Sequence, residues 1–228
     1  MKRLWAAAAL LASAGAAAAQ SPFEARCESG IGASAAHLSA SDQGYTINNT
    51  VSYQRLTGMR PPAAGRSYVL GLTRAESRVS IQLDAKLLVD PQSGRECIAP
   101  QIDVRLSYIP ITIYVGREFP PGSCSYQEIL AHEMRHLNAY LNHLSKVESV
   151  VRAALDQRFA ARPVYAPIGQ AKAMLAREID REWMPYIKNE LDRVEQLQTE
   201  IDSPQEYARL SRVCKGEVQF LIKQPHKH

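Results

Sequence analysis

The sequence predicts an α+β fold in which a small antiparallel sheet is followed by a long helix and a helical hairpin. From about residue 45 to residue 115 the chain is rich in β-branched side chains that alternate with polar ones, a pattern typical of strands with one buried face. After Cys124, apolar residues recur at intervals of three and four, and no proline interrupts the chain until Pro163. The β-rich part is therefore expected at residues 45–115 and the helical part at residues 125–222.

The β-rich segment contains one clear turn signal. Residues 91–94 read Pro-Gln-Ser-Gly, so we expect a hairpin between a strand that ends near Val89 and a strand over residues 102–106. A last strand is predicted at residues 111–115, where the sequence is Ile-Thr-Ile-Tyr-Val.

The long helix is expected to begin at a serine. Ser123 or Ser125 can cap its N-terminus, and Glu128 lies three residues after Ser125, which is the spacing of a capping box. Because proline disrupts a helix interior, the helix is expected to end before Pro163.

Two further helices are predicted after a short connection at residues 163–169. The second helix should cover residues 171–201, with Pro185 as the point where it would kink. Ser203 and Pro204 are typical of the N-cap and first position of a third helix. The short connection predicts that the first two helices pack as a hairpin.

The N-terminal segment has the layout of a secretory signal peptide. Lys2 and Arg3 precede an apolar run over residues 4–14, and small residues follow up to Ala19. We expect cleavage after Ala19, with residues 20–228 forming one domain that is secreted or periplasmic. An uncleaved membrane anchor is the alternative, which the short, alanine-rich run disfavours.

The charge balance argues against a nucleic-acid partner. Without Lys2 and Arg3 the chain carries 25 basic and 23 acidic residues, and it has no block of basic residues interleaved with aromatic ones. No segment after the signal peptide is long and apolar enough for a stable membrane anchor.

All four cysteines follow the predicted cleavage site, and none forms a CxxC pair. An even number in an oxidising compartment predicts two disulfides. Three pairings are open. We favour Cys97 with Cys124, which would clamp the loop ahead of the long helix, and Cys27 with Cys214, which would join the two ends of the chain.

The segment His132-Glu133-Met134-Arg135-His136 is an HExxH motif on the predicted long helix. Residues four apart share one face of a helix, so His132 and His136 can bind one metal ion, for which Zn²⁺ is expected. Glu133 lies about 100° around the helix, where its carboxylate can accept a proton from a metal-bound water. A five-residue match also arises by chance, and the two histidines would then be unligated residues of an exposed helix.

The two histidines are expected to face the sheet or a cleft beside it rather than to pack on the second helix. They lie about 100° to 140° around the axis from an apolar stripe that is expected to pack on that helix. The stripe consists of Leu130, Met134, Leu137, Leu141, Leu144, Val151 and Leu155. His143 is too far along the axis from His136 to share a metal ion, and we expect it in the cleft or at the surface.

A catalytic zinc site needs a third protein ligand. If the helical hairpin folds near residue 165, the level of the two histidines faces residues 194–198. Glu195, Glu200, Asp202 and Glu206 lie within a turn or two of that level. We favour Asp202 and Glu206, because the second helix ends there and the chain can bend toward the histidines. The choice between them stays open.

The signal peptide, the β-rich first half, the HExxH helix and the helical hairpin together resemble a bacterial family of predicted secreted zinc-dependent proteases, which is catalogued as a domain of unknown function. The resemblance covers roughly residues 51–207, and its specific element is the HExxH motif. It implies a zincin-like fold with His132 and His136 as zinc ligands and Glu133 as general base. The chain departs from the family at Arg135, where Gly is usual, and by having no His after Asp202 at the end of the hairpin.

These observations predict a secreted zinc metallopeptidase that hydrolyses bonds in a peptide or protein substrate. Tyr140 or Tyr207 could help to hold the oxyanion, and the strand at residues 111–115 could bind the substrate backbone as an added strand. The alternative is a non-catalytic periplasmic helical-hairpin binding protein or a degenerate zincin. The charge of Arg135, the missing third ligand and the surface charge on both long helices favour this alternative. The tail at residues 225–228 contains two histidines that could bind stray metal, although we expect a frayed terminus.

Overall fold

The computed structural model describes residues 21–59, 68–159 and 162–223. The predicted signal peptide and the histidine-containing tail lie outside the described residues. Within the described residues, no helix is long and apolar enough to cross a membrane.

The sheet is built around one long central strand. Its strands are β1 (Ala35–Ser41), β2 (Tyr45–Asn48), β3 (Gly71–Asp90), β4 (Arg95–Val115) and β5 (Val164–Pro167). β3 pairs with β4 in antiparallel fashion from end to end, and β5 also pairs antiparallel with β4. β1 and β2, in contrast, run parallel to β4. The prediction of an antiparallel sheet is therefore wrong, because alternation of buried and exposed residues shows which face is buried but not which way a strand runs.

The predicted hairpin at residues 91–94 is confirmed, since β3 ends at Asp90 and β4 begins at Arg95. β4 continues through the two segments that were expected to be separate strands. Ile109 and Pro110 lie opposite a register shift between Ala75 and Ser77 of β3. Such a bulge interrupts the ladder where proline has no N–H to donate, so the strand can continue past it.

The long helix α3 (Cys124–Phe159) is confirmed and spans 36 residues. Its cap is Ser123 rather than Ser125, because the Ser123 hydroxyl accepts a hydrogen bond from the Tyr126 N–H at 3.2 Å. The capping box at Glu128 does not form. The Glu128 carboxylate instead accepts a hydrogen bond from Arg209 at 2.7 Å.

The predicted second helix is divided into shorter helices. They are α4 (Ala171–Glu178), a π-helical turn (Ile179–Trp183), α5 (Met184–Asp192) and α6 (Val194–Ile201). The π-helical turn comes just before Pro185, which is where a kink was expected. The third helix, α7 (Pro204–Leu210), begins as predicted, with the Ser203 hydroxyl accepting from the Glu206 N–H at 3.3 Å.

The remaining helices are α1 (Pro22–Gly30), α2 (Tyr53–Met59), a 3-10 turn (Cys214–Gly216) and α8 (Glu217–Lys223). The main core lies between one face of β4 and the helices α3, α5 and α6. It includes Val104, Leu106, Ile113, Leu137, Leu144, Val151, Ile187, Leu191 and Val194. Mixed helix and strand around this core confirm the α+β class.

His143 belongs to this core, so its expected place in the cleft or at the surface is wrong. The Tyr108 hydroxyl donates to the Leu191 carbonyl at 2.8 Å and lies 3.1 Å from His143 Nδ1. A hydroxyl has one proton to give, so His143 must donate from Nδ1. Burial lowers the pKa of His143, which keeps this imidazole neutral.

Both disulfides form, but between other partners than predicted: Cys27 pairs with Cys97, and Cys124 pairs with Cys214. α1 packs its buried face against the start of β4, which brings Cys27 to Cys97. The segment after α7 packs around the first turns of α3, which brings Cys214 to Cys124. Pairing follows these packing contacts, which position in the sequence does not reveal.

Candidate metal centre

The HExxH motif lies on a buried face of α3 near the helix N-terminus. His132, Glu133 and His136 are at most 7% exposed, whereas the Arg135 side chain is 46% exposed. Polar side chains are rarely buried unless they have partners, so the question is what these three groups contact.

Three potential ligand atoms form a small triangle. His132 Nε2 lies 3.1 Å from His136 Nε2. One carboxylate oxygen of Asp202 lies 3.2 Å from the first of these nitrogens and 3.3 Å from the second. Among the described residues, these three are the group of histidine, cysteine and acidic side chains whose geometry could hold a metal ion.

The triangle fits a tetrahedral metal ion. An ion with ligand bonds of about 2.0–2.2 Å would separate its donor atoms by about 3.3–3.6 Å, close to the three distances observed. Two imidazoles and one carboxylate leave the fourth position for water or substrate, which is the arrangement of catalytic rather than structural sites. The residues present therefore fit a divalent metal such as zinc.

Asp202 reaches the histidines because of a bend in the chain. It ends α6 with φ −80° and ψ 41°, outside the helical range, and α7 begins two residues later. The side chain points back at α3 from this corner. The sequence-based argument that the chain would bend toward the histidines at this point is confirmed.

The outer nitrogens of the two imidazoles contact acceptors on the C-terminal helices. His132 Nδ1 lies 3.2 Å from Glu206 Oε1, and His136 Nδ1 lies 2.5 Å from Gln198 Oε1. An acceptor at Nδ1 suits the tautomer in which Nδ1 carries the proton and Nε2 is free for a metal. Glu206, which was a candidate third ligand, thus supports a ligand instead.

Arg135 contributes to the same arrangement. Its guanidinium forms an ion pair with Glu206, which is also held by Arg209. The hydrogen bond from Arg209, with the charge of Arg135, lowers the pKa of Glu206 to about 2, so this carboxylate is ionised at neutral pH. Arg135 also approaches His132 Nδ1 to 2.7 Å, but it can only donate. With a metal on Nε2, Glu206 is the acceptor for the His132 Nδ1 proton.

Glu133 lies beside the triangle and under the start of β3. The Thr73 hydroxyl is 2.9 Å from Glu133 Oε2 and 3.0 Å from the Glu133 carbonyl oxygen. Burial raises the pKa of Glu133, and the neighbouring histidines and Thr73 oppose this shift only in part. A carboxylate whose pKa is raised is a stronger base than an ordinary glutamate and is suited to accept a proton and return it.

At His136 the neighbouring groups, rather than burial, decide the direction of the pKa shift. Burial alone would lower its pKa, but the hydrogen bond to Asp202 and the charge of Glu133 outweigh burial and raise it. Because a metal must displace the proton from this imidazole, metal affinity should weaken as the solution becomes more acidic.

The site opens into a cavity of about 240 Å³ between the start of β3, α3 and α6. Tyr140 and Tyr207, the two residues that the sequence suggested for holding an oxyanion, both line this cavity. Burial raises the pKa of Tyr140 to about 12, so its hydroxyl keeps its proton and can act as a donor. Glu195 also lines the cavity, whereas exposed Glu200 pairs with Gln196 at 3.4 Å and has no contact with the site.

The strand at residues 111–115 does not line this cavity, so the expectation that it binds substrate is wrong. Its residues 111–114 are paired with β2 on one side and with β3 on the other, which leaves no free edge. Residues 71–73 at the start of β3 line the cavity instead. β3 pairs only with β4 among the described strands, so no described strand covers its other edge.

Three site residues were not foreseen: Gln198, Thr73 and Gly71. A hairpin folded near residue 165 places residues 194–198 opposite the histidines. Gln198 belongs to this segment, so the sequence could have pointed to it. Thr73 and Gly71 lie about sixty residues before the motif in the sequence, and no local signal marks them.

Comparison of the chain with protein-family models, with curated proteins and with solved structures gave no match in any of the three. The resemblance to secreted zinc-dependent proteases therefore stays a prediction, supported by the motif and by the geometry around it.

Proposed function

We propose that this protein is a secreted or periplasmic zinc metallopeptidase with a zincin-like fold, related to the predicted secreted zinc-dependent proteases that it resembles. The observation that carries the proposal is the triangle of His132 Nε2, His136 Nε2 and Asp202 Oδ1, with the buried Glu133 beside it. Two disulfides support an oxidising compartment.

Zinc bound by these three residues would polarise a peptide carbonyl and lower the pKa of a water molecule toward neutrality. Glu133 would take the proton of that water and later deliver it to the leaving amine. Glu206 and Gln198 would hold the two imidazoles in the tautomer that presents Nε2. Tyr140, protonated at neutral pH, would donate to the oxygen that becomes negative in the transition state.

The substrate backbone would bind along the start of β3, which lines the cavity and whose other edge is not covered by any described strand. An extended peptide that adds to a sheet edge gains main-chain hydrogen bonds without requiring a particular sequence. A peptide or protein substrate therefore suits this site better than a compact small molecule.

The non-catalytic alternative rested on the missing third ligand, on the surface charge of both long helices and on the charged Arg135. Its ion pair with Glu206, the acceptor at His132, gives this charge a role in a metal site. We therefore do not retain a binding protein as a second candidate.

The test compares wild-type protein with Glu133→Gln and with the control Glu148→Gln, which alters a carboxylate of the same helix that pairs with Arg152 at 2.7 Å. All three proteins should bind about one zinc ion in a chain that lacks residues 224–228, so that the tail cannot contribute. Cleavage of labelled casein should fall by about 10²–10⁴-fold in Glu133→Gln and be unchanged in Glu148→Gln. Undiminished cleavage by Glu133→Gln, or a wild-type protein that neither contains nor binds zinc, would contradict the proposal.

A further inference from the structure

The first residues of β3 contact the Glu133 carboxylate on both of its oxygens. The Thr73 hydroxyl lies 2.9 Å from Oε2. On the other side, a Cβ atom added to Gly71 would lie only 2.6 Å from Oε1 and 2.8 Å from Glu133 Cγ. Alternate residues of a strand face the same side, so Gly71 and Thr73 both face α3. The strand thus offers a hydrogen-bond donor at one oxygen and a close-fitting backbone at the other.

This part of β3 is held firmly in the sheet. Gly71 is opposite Val115 and Thr73 is opposite Ile113, both of which are fully buried residues of β4. The carbonyl of Leu70, just ahead of the strand, accepts a hydrogen bond from the Gly116 N–H at 2.8 Å. A group that is fixed on a paired strand can define the position of a neighbouring side chain more closely than a group on a loop.

Thr73 directs its single proton to Glu133 whichever acceptor it uses. The carboxylate oxygen and the carbonyl oxygen of Glu133 lie at 2.9 Å and 3.0 Å from the Thr73 hydroxyl. Donation to an ionised carboxylate is stronger than donation to a neutral carbonyl. Glu133 is 3% exposed, so little water is available to replace this donor.

We propose that Thr73 is a positioning residue for Glu133: its hydroxyl and the side-chain-free Gly71 hold the carboxylate in the orientation that proton transfer requires. The catalytic consequence rests on the proposed function of Glu133 as general base. The contact itself does not depend on that function, so the two can be tested separately.

The catalytic consequence is tested with Thr73→Val, which keeps the shape of the side chain and removes the donor, and with Thr73→Ser, which restores the donor. Thr46→Val is the control, since Thr46 is an exposed strand threonine whose hydroxyl lies 3.4 Å from that of Thr112. We expect Thr73→Val to keep its zinc and its KM within about twofold while kcat falls by about 10–100-fold. Thr73→Ser should return kcat to within about threefold of wild type, and Thr46→Val should not change it.

The contact is tested without any activity by thermal unfolding of wild type, Thr73→Val, Glu133→Met and the double variant. If the hydroxyl supports the buried carboxylate, Thr73→Val should lower Tm by about 2–8 °C when Glu133 is present. With Met at position 133 no carboxylate is left without a donor, so the same change should have little effect or raise Tm.

Equal Tm shifts in the two backgrounds would overturn the contact between the Thr73 hydroxyl and the Glu133 carboxylate. Equal kcat values for Thr73→Val and Thr73→Ser would overturn the positioning role. A wild-type protein without zinc or peptidase activity would instead refute the proposed function. In that event the Tm comparison alone decides whether Thr73 holds the carboxylate.

Discussion

Replacement of Asp202 by Asn would test whether this residue is the third metal ligand. Asn keeps the size of the side chain and can occupy the same corner between α6 and α7, but its neutral amide is a poor zinc ligand. The variant therefore removes one of the three donor atoms that lie 3.1–3.3 Å from one another, and it leaves both imidazoles in place.

The expected loss of zinc affinity is calculated by dividing the binding free energy of a zinc site equally among its ligands. Structural zinc sites with four protein ligands bind with about 10–16 kcal/mol, so one ligand contributes about 2.5–4 kcal/mol. Since about 1.4 kcal/mol corresponds to a tenfold change, we expect Asp202→Asn to weaken zinc binding by about 10²–10³-fold.

Competition with a chromophoric chelator at pH 7 would measure the dissociation constants. Glu200→Gln is the matched control, because Glu200 is another acidic residue at the end of α6 but is exposed and has no contact with the histidines. Its affinity should stay within about twofold of wild type. If Asp202→Asn bound zinc as tightly as wild type, Asp202 would not be a ligand and the triangle would have no metal-binding significance.

Three other outcomes are expected. Glu206→Gln should weaken zinc binding by about 10–100-fold, less than Asp202→Asn, because it weakens the acceptor at His132 but leaves the ligands; an unchanged dissociation constant in the same titration would argue against this role. Glu96→Gln should lower the free energy of unfolding in urea by about 2 kcal/mol at pH 7, since the Glu96 carboxylate accepts from the Ala171 and Gly169 N–H groups, both at 2.7 Å. These bonds lower the pKa of Glu96, so its stabilisation is present above the ordinary value of 4.5 and is lost as pH falls through the lowered pKa; a difference that persists undiminished at pH 2 would contradict this. Removal of zinc with EDTA should lower Tm. The free energy of unfolding should fall by about 2.7 kcal/mol relative to protein in free zinc at about a hundred times the dissociation constant. An identical Tm with and without EDTA would contradict binding of zinc to the folded state.

The helical part of the site follows directly from the sequence. The period of an α-helix places His132 and His136 on one face, and a hairpin folded near residue 165 places residues 194–198 opposite them. The contact between Gln198 and His136 confirms that this part of α6 lies opposite the histidines. Local periodicity was sufficient here because α3 is long and its connection to the helices that follow is short.

The choice between Asp202 and Glu206 could not be made in the same way. The two residues lie on either side of the corner between α6 and α7, where helical periodicity no longer predicts the direction of a side chain. Backbone angles at Asp202 send its carboxylate to the Nε2 atoms and leave Glu206 at Nδ1 of His132. The backbone conformation of Asp202 therefore decides which of the two carboxylates is the candidate ligand.

The sheet and the disulfides depended on contacts between distant parts of the chain. β1 was not predicted because its sequence, Ala-Ala-His-Leu-Ser-Ala-Ser, is poor in strand-forming residues and is stabilised by pairing with β4. The disulfides followed the packing of α1 and of the segment after α7. Thr73 reached Glu133 for the same reason, since the pairing of β3 with β4 sets its place above α3.

The central claim is that one zinc ion binds between His132, His136 and Asp202. An anomalous difference map at the zinc edge, from crystals of residues 20–228 grown with one equivalent of zinc, would test it most directly. The structure predicts one strong peak about 2.0–2.2 Å from the two Nε2 atoms and from the Asp202 carboxylate. A peak only at the C-terminal histidines, with none at this triangle, would contradict the claim.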